Sequence, residues 1–152
     1  IITDSELNVI AEGPNLAISV AEELIEGMDE WNTRHHFGSG LIDRVRNDSV
    51  SLEEAERQTL EFIKEHVPKR TAPLCGNSVW NDRQFLVKEM PSVAKYLHYR
   101  MVDVSTIKEL ARRWYPGLPK FEKKGAHLAL DDIRESVHEL VHFRELIFTD
   151  RP

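Results

Sequence analysis

Three clusters of acidic and histidine side chains could carry chemistry in this chain. In the first, His127-Leu128-Ala129-Leu130-Asp131-Asp132, an imidazole suited to moving a proton near neutral pH precedes two carboxylates suited to Mg2+ or Mn2+. Helical spacing alone pairs His127 with Asp131; Asp132 joins it only if His127 sits in the loop before the helix. The plain alternative is that both aspartates are favourable negative charge in a first helical turn. The second cluster, Asn77-Ser78-Val79-Trp80-Asn81-Asp82, falls between a strand end and a helix start, where ligands gather in open α/β sheets. Its alternative is that Asn81 or Asp82 simply caps the helix. The third, His138-Glu139-Leu140-Val141-His142, has the H-E-x-x-H form in which two histidines hold zinc and the glutamate acts as base. Two partly exposed helix histidines would give the same string. No His or Cys follows His142, which leaves Glu145 or Asp150 as the nearest third ligand. Ser105-Thr106-Ile107-Lys108 has the S-x-x-K form of a serine nucleophile, but no K-T-G partner is present. His98-Tyr99-Arg100 sets stacking rings beside a guanidinium, a combination that reads bases and phosphates; an edge strand with one polar face would look alike.

These residues need elements to hold them. Ile1–Thr3 and Leu7–Ala11 flank a polar turn and read as a hairpin, and Leu16–Ile18 resumes an extended run after Gly13-Pro14-Asn15. Ser19 with Glu22 forms a capping box, and Leu24, Ile25, Met28 and Trp31 follow at helical spacing, which predicts one helix over Ser19–Trp31. A loop at Gly38-Ser39-Gly40 leads to a short helix near Leu41–Arg46. Ser51 and Glu54 make a second capping box, with Leu52, Ala55, Leu60, Ile63 and Val67 as the buried stripe of a helix ending near Pro68. Pro73–Gly76 reads as a buried strand, Asn81–Met90 as a helix halted by Pro91, and His98–Val104 as a strand. Ile107, Leu110, Ala111 and Trp114 mark a helix stopped by Pro116. After a Lys-rich loop, a long helix carries the stripe Ala129, Leu130, Ile133, Val137 and Leu140. Strands followed by alternating strands and helices predict an α/β fold, a mixed sheet flanked by helices.

Composition narrows the function classes. The 152 residues suit one domain with a real core. A formal net charge of −6 disfavours a long phosphate-tracking groove, hence no long nucleic acid, while leaving short ones open. The one cysteine, Cys75, rules out an internal disulfide and fits a reducing compartment. No apolar run is long enough for a bilayer, so no membrane partner is expected. A soluble, cytoplasmic protein is the expectation, with a mitochondrial location equally compatible if the source is eukaryotic.

Taken in order, C-G-N-S-x-x-x-D (Cys75–Asp82), H-Y-R-M-V-D-V-S-T-I-K-E-L-A-R-R-W (His98–Trp114) and G-A-H-x-A-x-D-D-I-R-E-S (Gly125–Ser136) resemble the oligoribonuclease family. Leu7–Pro14 and Met28–Leu41 resemble it in the same order, so the likeness spans essentially the whole chain. The family belongs to the exonucleases named for an Asp-Glu-Asp-Asp-His set, on an RNase H-like fold. The resemblance implies 3′→5′ hydrolysis of very short oligoribonucleotides to 5′-mononucleotides with two metal ions, Mg2+ or Mn2+. It makes Asp82 and Asp132 metal ligands and His127 the general base. It sets Trp31 and His36 near the bases, and has Ser78, Ser105, Thr106 and Arg100 cap the 5′ phosphate of a dinucleotide. It further implies a homodimer in which His98, Tyr99 and Arg100 reach the partner's site.

One part of the family pattern is missing. The D-x-E element that supplies two more metal carboxylates has no counterpart on an opening strand; Asp4-Ser5-Glu6 has the form but lies in the hairpin turn, and is rejected as a substitute. The opening Ile1-Ile2-Thr3 reads as the tail of a strand already under way. The expectation is therefore an exonuclease domain over residues 1–152, incomplete at its N-terminus, with Asp82, Asp132 and His127 converging on a pocket beside a strand-shaped gap. The competing expectation is an inert nucleotide-binding or dimerisation module.

Overall fold

The computed structural model describes residues 1–122 and 129–148. The chain opens with β1 (Ile2–Thr3) and β2 (Val9–Ala11), paired antiparallel as the hairpin pattern predicts. Asp4 builds the turn: its carboxylate accepts from the backbone amides of Glu6 (2.8 Å) and Asn8 (2.9 Å). The turn also needs Leu7 at φ 67, a left-handed conformation costly for a side chain with a Cβ.

The single helix expected over Ser19–Trp31 is two. After β3 (Ala17–Ile18) the chain is still extended at Ser19, whose amide donates to Val50 O (2.9 Å), so Ser19 cannot cap a helix. Helix α1 (Glu22–Glu26) has Ala21 at its N-cap without a side-chain bond. It ends at Gly27, and Asp29 starts α2 (Glu30–Gly38) by accepting from the Asn32 amide at 2.8 Å. A good local cap at Asp29 outcompetes continuation of the apolar period. Helix α3 (Leu41–Asn47) follows Gly40 in the left-handed region, and β4 (Ser49–Val50) pairs parallel with β3. That two-residue strand carries no sequence signature. Helix α4 (Leu52–His66) is capped by Ser51, which accepts from the Glu54 amide at 3.1 Å, and buries Ala55 as the stripe predicts.

The second half positions the candidate chemistry. Strand β5 (Leu74–Gly76) leads to α5 (Trp80–Glu89), and α6 (Pro91–Tyr96) begins at the proline that stops α5. Strand β6 (Met101–Asp103) pairs parallel with β5, Cys75 opposite Val102, and passes directly into α7 (Val104–Trp114). Helix α8 (Ala129–Ile147) packs on α7 around Val104, Ala111 and Phe143, with Ile107, Leu118, Leu140 and Ile147 against them. Burying a ring such as Phe143 contributes about 1.5–3 kcal/mol.

Two expectations change here. His98–Arg100 is not strand: the Arg100 amide bonds the His98 ring Nδ1 (3.1 Å) instead of a neighbouring strand, so β6 starts only at Met101. And the inward face of α8 is only partly the expected stripe: Leu140 packs against the core as expected. Ile133 is 42% exposed, whereas Glu139, bonded by Lys108 of α7, is 0% exposed and Phe143 is buried. The architecture is mixed α/β, as expected. Among the described residues the strands form three two-stranded pairs, and none joins the β1–β2 pair to the β5–β6 pair.

Candidate active site

Asp82 and Asp132 occupy the first turns of α5 and α8 respectively, and both are exposed. The capping alternative for Asp82 fails, since Val79 is the N-cap of α5 and Asn81 and Asp82 lie inside the helix. The two adjacent aspartates of α8 differ. Asp131 lies 3.8 Å from Arg134, which itself bridges to Glu12 at 2.6 Å. Among the described residues Asp132 has no such cation: only its backbone carbonyl is engaged, accepting from Ser136 Oγ (2.8 Å). An unpaired carboxylate is the better metal ligand, because no ion pair must be broken first. His127 lies outside the described residues. Among the described residues no group of three or more His, Cys, Asp or Glu forms a metal cage. Oxygen donors such as Asp82 and Asp132 fit a hard divalent cation in kind, but they are only part of a ligand set. The two carboxylates line neither of the two cavities described below.

Ser78 and Ser105 are brought together from different elements. Ser78 sits at φ 51 in the turn between β5 and α5. Its amide donates to Asp103 Oδ1 (3.0 Å) and Ser105 Oγ (3.0 Å), and the two hydroxyls lie 3.3 Å apart. Asp103 is also the N-cap of α7, accepting from the Ser105 amide at 2.9 Å. One carboxylate thus clamps the turn onto the start of an 11-residue helix, whose positive end favours an anion. Thr106 follows on the same first turn and is exposed.

Trp31 and His36 share α2. Trp31 is 63% exposed and stacks on His35 at 3.9 Å between ring centroids. His36 lines a cavity of about 360 Å3 walled by Ile18, Leu24, Ile25, Met28 and Ile42. His98, Tyr99 and Arg100 contact one another: the His98 and Tyr99 rings lie 4.5 Å apart, and Arg100 Nε donates to the Tyr99 hydroxyl at 3.1 Å. Tyr99 is 71% exposed and borders a cavity of about 320 Å3 with Arg70, Arg83, Lys95 and Leu97.

The H-E-L-V-H string is not a zinc centre. Glu139 is fully buried, accepting from Lys108 Nζ and Asn77 Nδ2 at 2.8 Å each, and His142 Nε2 bonds Pro119 O (3.0 Å). The would-be base and one would-be ligand are committed to packing. Asp4 and Glu6 are likewise used by the hairpin turn. Asn8, through its side chain and backbone, holds the Asp4 carboxyl below the usual range, and Arg144 donates to the Glu6 carbonyl at 2.9 Å. Sequence reasoning missed Asp103, Asn77 and Glu139. An Asp two residues before a Ser at a helix start is a capping signal and was available for Asp103; Glu139 had no local signal.

The pattern of the RNase T family, described as Exonuclease, matches residues 1–140, and the chain belongs to that family. It is a nuclease-class hydrolase of mixed α/β fold. The relatives it resembles are oligoribonucleases: 60% identity over 145 residues with that of Pseudomonas syringae pv. syringae, 58% over 146 residues with that of Pseudomonas aeruginosa, and 56% over 149 residues with that of Vibrio campbellii. These matches cover 95–97% of this chain and 81–82% of each relative. No helix among the described residues is long and apolar enough to cross a membrane.

Proposed function

We propose that this chain works as a 3′→5′ exoribonuclease on very short oligoribonucleotides, releasing 5′-mononucleotides. The observation that carries the reading is the Ser78–Asp103–Ser105 clamp. Two hydroxyls 3.3 Å apart at the start of α7 suit one terminal phosphate, and a closed phosphate stop admits short substrates without any basic groove. Thr106 and Arg100 complete the cap, and Trp31 and His36 sit against the bases.

Asp82 and Asp132 are two ligands of a divalent-metal site taking Mg2+ or Mn2+, and His127 removes the proton of the attacking water. When bound, two such ions supply electrostatic stabilisation of the attacking and leaving oxygens. The other two carboxylates of the family pattern have no counterpart among these residues, and among the described residues β5 pairs with β6 alone. The active form is a homodimer in which His98, Tyr99 and Arg100 enter the partner's site. The 71% exposure of the Tyr99 ring supports this. A reducing, cytoplasmic setting suits a chain whose one cysteine is unpaired.

The test is product analysis with 5′-labelled dinucleotides and longer RNAs in Mg2+. Stepwise loss of 3′ nucleotides, fastest for the dinucleotide, is the expected result. Internal cleavage, or a rate that rises with length, would exclude the proposal.

A further inference from the structure

Glu139 is the one charged side chain in the core among the described residues, at 0% exposure. A buried carboxylate is costly unless paired and hydrogen-bonded, and here both conditions are met. Lys108 of α7 donates to Oε1 and Asn77 of the turn before α5 donates to Oε2, each at 2.8 Å. The bond to Oε2 fixes the Asn77 amide, and its own Oδ1 is then left buried without a partner among the described residues. The next residue, Ser78, is held at φ 51, which a non-glycine residue rarely adopts. Two unfavourable features thus fall on consecutive residues, and such features persist only where the surroundings over-determine them, commonly at ligand clamps. What over-determines this turn is on the page: Asp103 and Ser105 hold the Ser78 amide from one side, and Glu139 holds Asn77 from the other.

We propose that Glu139 is a positioning residue: braced by Lys108, it anchors Asn77 so that Ser78 is presented beside Ser105 to the terminal phosphate of a dinucleotide. Glu139 touches no substrate. It lies seven residues after Asp132 on α8, two helical turns further along the same face. The same helix that carries the metal carboxylate near its start therefore sets the phosphate stop from its middle, which fixes the distance between the two ends of a very short substrate. The proposal rests on Ser78 and Ser105 being the phosphate cap.

Binding is measured on the full-length protein with divalent cations chelated, using a dinucleotide with a 5′ phosphate and the same dinucleotide without one. Glu139→Gln puts an amide donor against either Lys108 or Asn77. It should weaken binding of the phosphorylated dinucleotide roughly tenfold, the worth of one charge-assisted hydrogen bond, and leave the unphosphorylated one unchanged. In Mg2+ the loss should appear in KM, with kcat largely kept. If Glu139→Gln does not fold, the apolar pair Lys108→Met with Glu139→Met, a kind of replacement that often preserves stability, is measured in its place with the same expectation. Equal weakening of both ligands, or of neither, overturns the proposal. Ser105→Ala serves as the reference. If it loses phosphate selectivity while the Glu139 variants keep it, the positioning role alone is wrong. If Ser105→Ala keeps the full preference for the phosphorylated dinucleotide, the phosphate-cap assignment fails and the positioning role falls with it.

Discussion

The turn at Asn77–Ser78 follows one strand of the β5–β6 pair and the segment His98–Arg100 precedes the other, and both carry residues proposed to meet substrate. They are built in opposite ways. The turn is bonded to α7 and α8 through Asp103, Ser105 and Glu139, contacts that fix its backbone within the chain. The segment's side chains bond chiefly one another, with Tyr99 at 71% exposure. A surface whose geometry must be set before substrate arrives is wired into the core. One whose geometry is completed by another molecule can be left open, as an exposed aromatic cluster beside a cavity often is.

The largest expected effects lie outside both regions, in the carboxylate and histidine pair that the turn serves. His127→Ala should lower the rate of dinucleotide hydrolysis by about 10²–10⁴-fold, with dinucleotide binding kept. Asp132→Asn should impair metal binding as well as rate, as titration with Mn2+ would report. Asp131→Asn removes only a partly exposed contact to Arg134, so its cost in stability should not exceed about 1 kcal/mol. A more damaging Asp131 would reverse the assignment on α8.

The contrast in wiring should next appear in stability. Phe143→Ala removes a buried ring from beneath the α7–α8 junction and should cost about 3–5 kcal/mol by chemical denaturation. Tyr99→Ala should cost no more than about 0.5 kcal/mol, as for an ordinary surface position. A large loss from Tyr99→Ala would mean that the segment is packed after all.

Tyr99→Ala should nonetheless lose activity. Mixing it with Asp132→Asn should recover part of that loss, because one of the two sites in a mixed dimer receives both intact halves. No recovery despite proven subunit exchange would place Tyr99 and Asp132 in one subunit's site. The smallest effect is expected at the H-E-L-V-H string. Replacing His138 and His142 together by Ala should leave dinucleotide hydrolysis at the parental rate; tightly held zinc that disappears with them would contradict the packing role of Glu139 and His142.

Much was determined by the sequence alone. Ser51 with Glu54 and the stripe through Ala55 specify α4, Pro91 ends α5, and the alternation around Asp4–Glu6 specifies the hairpin. The motif strings place Ser78, Ser105, Asp82 and Asp132 at the starts of helices. These features are local: a cap, a period or a proline acts on backbone a few residues away. The tertiary structure decided the rest. Ser19 was claimed by Val50 rather than by a helix, an exchange of one amide that moved the start of α1 and needed a strand 31 residues downstream. Glu139 became the most buried side chain because Lys108 and Asn77, 31 and 62 positions away in the chain, converge on it. Burial of a charge is set by which distant groups arrive to satisfy it, and no window of sequence around Glu139 contains them.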